Sequence, residues 1–295
     1  MKIIRYRNWF FAFSLAIIIP GIIALYLWGL RLGIDFTGGT LWEIKFSKKE
    51  VSPAQVQNYL AGEEAQVSSV VATGENSVLV KMGLIEETKI TSLKEKVRET
   101  FGGTEDIRLE TVGPIISKEL TNKALLAVAA AIIAIVLYVT WAFRKVPQPA
   151  SPFAFGFCAI IALVHDVIVV VGAFAIGGHF FHLEIDSLFI TALLTVLGFS
   201  VHDTIVVFDR IRENLNKYDY PFEEIVNHSI LQTLARSLNT SLTVVFVLLA
   251  LLLFGGESIK TFVLALLIGV ISGTYSSIFN AAPLLVVWHN LRSRR

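Results

Sequence analysis

The chain has 295 residues, 54% of them apolar and only 17% charged, with a formal net charge of +1 and a mean hydropathy of +0.66. Soluble domains carry about a quarter charged residues, so this composition excludes an ordinary soluble globule and places the chain among membrane proteins. The single cysteine, Cys158, lies in an apolar run; this excludes an intramolecular disulfide and fits a small buried core residue better than redox chemistry.

About 20 mainly apolar residues cross the hydrocarbon core as a helix. The first such run is 9–30, preceded by Lys2, Arg5 and Arg7. Its apolar region is too long for a signal peptide and no small-x-small cleavage site follows, so it reads as an anchor. Pro20 and Gly21 interrupt it, which a membrane helix tolerates when neighbours satisfy the freed backbone groups.

Residues 31–122 read as a folded domain outside the membrane. Strands are expected at 41–46, 66–72, 77–82 and 107–112, with a turn at Gly74, Glu75 and Asn76. A short helix at 53–60 has Ser52 as its N-cap. A second helix at 86–101 places Ile90, Leu93, Val97 and Phe101 on one face. The order βαββαβ predicts a small α+β, ferredoxin-like sandwich.

Five further spans follow within 123–290, at 124–143, 153–176, 188–208, 238–254 and 262–288. Residues 145–152, Gly177–Gly178 and 255–259 read as turns between them. Lys and Arg in short flanks mark the cytoplasmic side. Lys2, Arg5, Arg7, Arg144, Lys145, Arg210, Arg212, Lys217, Arg292, Arg294 and Arg295 share one side, against Lys260 alone in the short loops opposite. Both termini, including the basic tail 291–295, are therefore expected in the cytoplasm.

Ionisable groups within a span cost about 2.5–3.5 kcal/mol on insertion scales, so each needs a reason. Asp203, with His202 before it, is either a proton-carrying carboxylate or an aspartate bonding across a helix contact. His165 and Asp166 form a second such pair, read as a relay or as a lock between helices. Arg236 precedes Asn239, Thr240 and Thr243 at helical spacing, a polar stripe placed to meet Asp203; alternatively Arg236 snorkels to the interface. Asp209, Arg210, Arg212 and Glu213 have the spacing of a solvated, ion-paired helix end. Residues 220–234 read as an amphipathic helix on the membrane surface, with Phe222, Ile225, Val226 and Ile230 on one side. In the last span, Gly269, Gly273 and Ser277 recur every four residues, beside Ser272, Ser276 and Asn280, which favours close helix packing.

No phosphate loop, zinc-ligand cluster or nucleophile motif is present. Neither an enzyme active site, a cofactor nor a nucleic-acid partner is expected, and the driving energy has to come from outside the chain.

Two stretches carry a family resemblance: RLGIDFTGGT at 31–40, containing Asp35, Phe36, Thr37, Gly38 and Gly39, and GFSVHDTIVVFDRIREN at 198–214. Both resemble the SecF side of the SecD/SecF protein-export family, and the likeness continues through RSLNTSLT at 236–243. The DFTGG stretch is common to both sides of that family. The resemblance implies a resistance-nodulation-division (RND) type fold in the bacterial inner membrane, of which this chain forms half and SecD supplies the other six helices. It also implies partnership with the Sec protein-conducting channel, an unfolded exported polypeptide and membrane lipid. Proton motive force would drive late translocation, with no cofactor. Asp203 would carry the proton, Arg236 would be its counter-charge and His202, where the family more often has Asn, would tune it. Two other readings remain, a proton-coupled exporter of lipid or small molecules and a passive translocon scaffold.

Overall fold

A computed structural model describes residues 2–47, 51–63, 66–74 and 76–293. Glu75 of the expected turn, and Arg294 and Arg295 of the basic tail, lie outside them. The chain divides into two compact units, Leu32–Leu125 and the pair of segments Met1–Arg31 and Leu126–Arg295.

A 3-10 turn at Ile3–Tyr6 leads into α1 (Arg7–Trp28), which runs unbroken through Pro20. The smaller unit then opens with one helical turn, α2 (Ile34–Thr37), and β1 (Gly39–Phe46). The DFTGG stretch makes this join. The Thr37 hydroxyl donates to the Gly33 carbonyl at 3.0 Å, and Gly38 and Gly39 take φ of +75° and +128°. A Cβ on Gly39 would lie 2.7 Å from the Met82 carbonyl oxygen, so only glycine fits there.

The unit continues with α3 (Pro53–Gly62), β2 (Val67–Gly74), β3 (Ser77–Met82), α4 (Glu87–Phe101) and β4 (Thr104–Val112). Ser52 caps α3 reciprocally with Gln55, and Gly102 ends α4 in the left-handed conformation. The strands form one antiparallel sheet in the order β2-β3-β1-β4, with Trp42 opposite Val80 and Leu109. Alternation along β1 sends Trp42, Ile44 and Phe46 to one face, where Val56 and Leu60 of α3 and Leu93 and Val97 of α4 complete the core. This is the ferredoxin-like arrangement. β4 begins three residues earlier than 107 because the β1–β4 pairing continues past a bulge at Glu43/Ile44 down to Thr104.

The remaining helices are α5 (Pro114–Ala142), α6 (Pro152–Phe181), α7 (Ser187–Lys217), α8 (Phe222–Phe254), α9 (Glu257–Ser276) and α10 (Ala282–Ser293). A π turn at Ser277–Ala281 joins the last two into one rod. Among the described residues, six helical segments are long and apolar enough to cross a membrane.

Two expected boundaries are corrected. Gly177 and Gly178 are not a turn; they lie inside α6, and the chain reverses only after His182. Their lack of a side chain serves packing, since a Cβ on Gly177 would come within 2.6 Å of Leu183 Cδ1. Residues 220–234 are not a surface helix either. From Phe222 on they form the start of α8, and Phe222, Val226 and Ile230 are buried with Ile211 and Phe208 of α7 and with Ile3 and Ile4. The apolar face that resembled a lipid-facing one is covered by protein.

Small residues fix the helix contacts. Gly21 of α1 meets Gly172 of α6, where a Cβ on Gly172 would lie 2.7 Å from the Gly21 Cα. On α9, a Cβ on Gly269 would collide with Val196 Cγ2 at 2.1 Å, and one on Gly273 would reach Ser200 Cβ at 2.9 Å. These contacts draw α9 against α7, which positions the site below.

Candidate functional site

Two carboxylates lie inside the helical unit, and they are held very differently. Asp166, on α6, is fully buried. Its Oδ2 accepts from Ser200 Oγ of α7 at 2.5 Å and from Ser276 Oγ of α9 at 2.7 Å. Its Oδ1 accepts from Ser272 Oγ at 2.7 Å and lies 3.0 Å from His165 Nδ1. An ionised carboxylate offers about four acceptor sites, and here they are filled from three helices. His165 Nε2 in turn lies 3.1 Å from Ser14 Oγ on α1, which accepts from Asn280 Nδ2 at 2.7 Å.

Asp203, on α7, is 2% exposed. Two hydroxyls reach its Oδ2, Thr274 Oγ1 of α9 at 3.3 Å and Ser241 Oγ of α8 at 3.4 Å. These hydroxyls lie 2.6 Å from each other. Both contacts to the carboxylate are long for O–H···O bonds, which centre near 2.7–2.8 Å. Ser272 and Ser276 therefore face Asp166, while Thr274, between them and about half a turn away, faces Asp203.

The stripe of Arg236, Asn239, Thr240 and Thr243 is exposed on α8, and no ion pair joins Arg236 to Asp203 among the described residues. The phase of the helix explains this. The buried polar face of α8 is Ser229, Thr233, Ser237 and Ser241, four residues apart, and Arg236 lies about 140° round the axis from Ser241. Arg236 instead lines a groove of about 430 Å³ with Asp209, Arg210, Glu213, Gln232 and Thr233. There Asp209 pairs with Arg212 at 2.6 Å and Glu213 with Arg210 at 2.7 Å. His202 is exposed beside Asp203.

Sequence reasoning missed Ser14, Ser200, Ser241 and Thr274, and took Ser272, Ser276 and Asn280 only as packing neighbours. The usable signal was the four-residue recurrence of Ser and Thr along α8 and α9, which marks a continuous polar face. Asp35, Phe36, Thr37, Gly38 and Gly39 belong to the other unit and shape its entry into β1.

The chain matches the family model "Protein export membrane protein SecD/SecF, C-terminal" over residues 92–291 and "SecD/SecF GG Motif" over residues 29–50. The chain belongs to the SecD/SecF family. Its similarity is to the SecF side: it is 52% identical to "Protein translocase subunit SecF" of Thermobaculum terrenum, covering 98% of this chain and 94% of that relative. The SecF of Anaerolinea thermophila is 47% identical over the same shares. "Protein translocase subunit SecDF" of Bacillus subtilis is 38% identical over 96% of this chain but only 37% of its own length. The crystal structure of SecDF from Thermus thermophilus, described as a translocon-associated membrane protein, superposes with a TM-score of 0.84 at 34% identity. That match covers 98% of this chain and 39% of the SecDF chain. This SecD/SecF family member is thus a multi-pass membrane protein of protein-translocase type, with the fold of one part of a longer SecDF chain.

Proposed function

We propose that this chain is the SecF half of a SecD–SecF pair in the bacterial inner membrane, with both termini in the cytoplasm. It uses proton motive force to promote late translocation of unfolded polypeptide beside the Sec channel. The observation that carries this reading is Asp203, a buried carboxylate held by two long hydroxyl contacts in the midst of apolar helices. Asp166 is tied to α7 and α9 by three short hydroxyl bonds and serves as a fixed cross-link between helices. Asp203, with only long contacts, is the carboxylate left to act as the proton carrier.

The length relation to the SecDF proteins supports a partner of similar architecture. So does the exposed stripe of Arg236, Asn239, Thr240 and Thr243, with exposed His202 on α7. Polar groups in a span normally face the bundle interior or a partner rather than lipid. Arg236 is placed to act from the groove side rather than by direct pairing with Asp203. Energy enters as charge moving through the membrane potential, about 2.3 kcal/mol per charge per 100 mV.

The test is export by inverted vesicles with and without a proton gradient. Asp203→Asn, which keeps shape and loses the charge change, is expected to abolish the gradient-stimulated part while the protein stays inserted. Glu119→Gln, at an exposed ion pair with Lys123, is expected to retain it. Full stimulation in Asp203→Asn would overturn the reading.

A further inference from the structure

A proton that reaches Asp203 also has to leave it, and the buried face of α8 offers a route. We propose that Ser237 is the middle step of a proton path joining Asp203 to the groove between α7 and α8. The inference rests on the reading of Asp203 as proton carrier and adds the path.

Four observations converge. Ser241, at the top of the ladder, bonds Asp203 Oδ2. Ser237, one turn below it, is 1% exposed, yet its hydroxyl has no hydrogen-bond partner. Buried hydroxyls are nearly always satisfied, and Ser229, Thr233 and Ser241 on the same face each bond the carbonyl four residues back. Ser237 alone among them is left free to exchange partners. Thr233, one turn further down, lines the groove of about 430 Å³, ample for several water molecules. The ladder Ser241, Ser237, Thr233 therefore spans from the carboxylate to a polar opening.

The charged groups facing the path are few. Asp203 lies at its inner end with exposed His202 beside it on α7; Asp209, Arg210, Glu213 and Arg236 stand at the groove. Asp209 and Glu213 are each paired with an arginine, so the opening is close to neutral apart from Arg236. In the path itself a proton moves along hydroxyls and water by breaking one O–H bond as the next forms. Each oxygen ends with the number of protons it began with, and one proton is delivered to the groove.

A path residue sets how fast a carboxylate exchanges its proton and leaves the equilibrium where it was; a structural residue does the reverse. The full chain in lipid nanodiscs is followed by infrared difference spectroscopy, with the Asp203 carboxyl band assigned by its loss in Asp203→Asn. After a pH jump, Ser237→Val, which fills the space with methyl groups, is expected to slow the change in that band by at least about tenfold. The pH midpoint is expected to stay put. Ser237→Ala, which removes the hydroxyl, is expected to slow the band change too, while Ser237→Thr, which keeps one, is expected to retain a rate near that of the parent. Thr233→Val, at the groove, is expected to be slow as well, and decides the matter if Ser237→Val does not insert. Unchanged rates in both valine variants, or a moved midpoint at an unchanged rate, would overturn the path. A chain with no titrating band that Asp203→Asn removes would instead overturn the proton-carrier reading, so the two failures are distinct.

Discussion

Asp166 and Asp203 sit on neighbouring helices, and the local pattern ranks them equally, since each follows a histidine inside an apolar run; only the family resemblance singled out Asp203. The difference lies in what other helices bring to them. Asp166 gathers hydroxyls from α7 and α9 at 2.5–2.7 Å, whereas Asp203 has contacts at 3.3 and 3.4 Å. The two Asn variants are therefore expected to separate by stability. Asp166→Asn leaves buried serine donors competing for one carbonyl oxygen, at about 1–3 kcal/mol for each group left unsatisfied. Asp203→Asn should cost less than about 1.5 kcal/mol. Thermal unfolding in detergent checks this; an equal or larger drop in Asp203→Asn would contradict the contrast. Which aspartate is saturated was not legible in the sequence, because the saturating residues lie 34 to 110 positions away.

At the scale of elements, local signals carried most of the smaller unit. Ser52 and Gln55 form the capping box, and the alternation of Trp42, Ile44 and Phe46 gave the core face of β1. The two helices anticipated at 53–60 and 86–101 appear as α3 and α4. With its own closed core, the segment 32–113 is expected to fold alone. Circular dichroism should give an α+β spectrum and one cooperative thermal transition; a coil spectrum without a transition would contradict it. Helix α8 was harder to read. A charged residue at 236 drew the polar stripe onto the wrong phase, because serine and threonine bury easily by bonding their own helix, as Ser229, Thr233 and Ser241 do. Arginine has no such recourse and turns outward. The end of α6 was misread because a glycine pair can also sit inside a helix where the chain folds back close to it, as it does here at Leu183.

The whole molecule leaves much of its helical surface open. The apolar windows of α6, of α7 and of the rod formed by α9 and α10 are half or more buried, against 6% for α5 and 17% for α8. Lipid covers the apolar parts of such faces, but not the stripe of Asn239, Thr240 and Thr243 at a comparable free energy. Replacing Asn239 and Thr240 together by Leu is expected to weaken co-purification with SecD several-fold in mild detergent, and to leave the unfolding temperature of the isolated chain unchanged or raised. Undiminished co-purification would place the partner elsewhere.

The π turn at Ser277–Ala281 holds a spare residue within the last rod. A π turn holds one residue more than an α turn needs, and one residue of α-helix is worth about 100° of rotation. Ahead of it Ser276 is aimed at Asp166; within it Asn280 is aimed at Ser14; beyond it Leu285 and Val286 are aimed at the core. Deleting one residue between 277 and 281 would let the rod relax to continuous α-helix with every later side chain still facing its neighbour, whereas deleting one from the regular helix on either side would rotate all that follows by about 100°. The same deletion in the connection at 145–151 would only shorten a link between α5 and α6. In this chain, then, the cost of losing a single residue is set by helical phase, and the wide turn near the C-terminus is the place in the last rod where a residue can be lost without changing which way the rest of the helix faces.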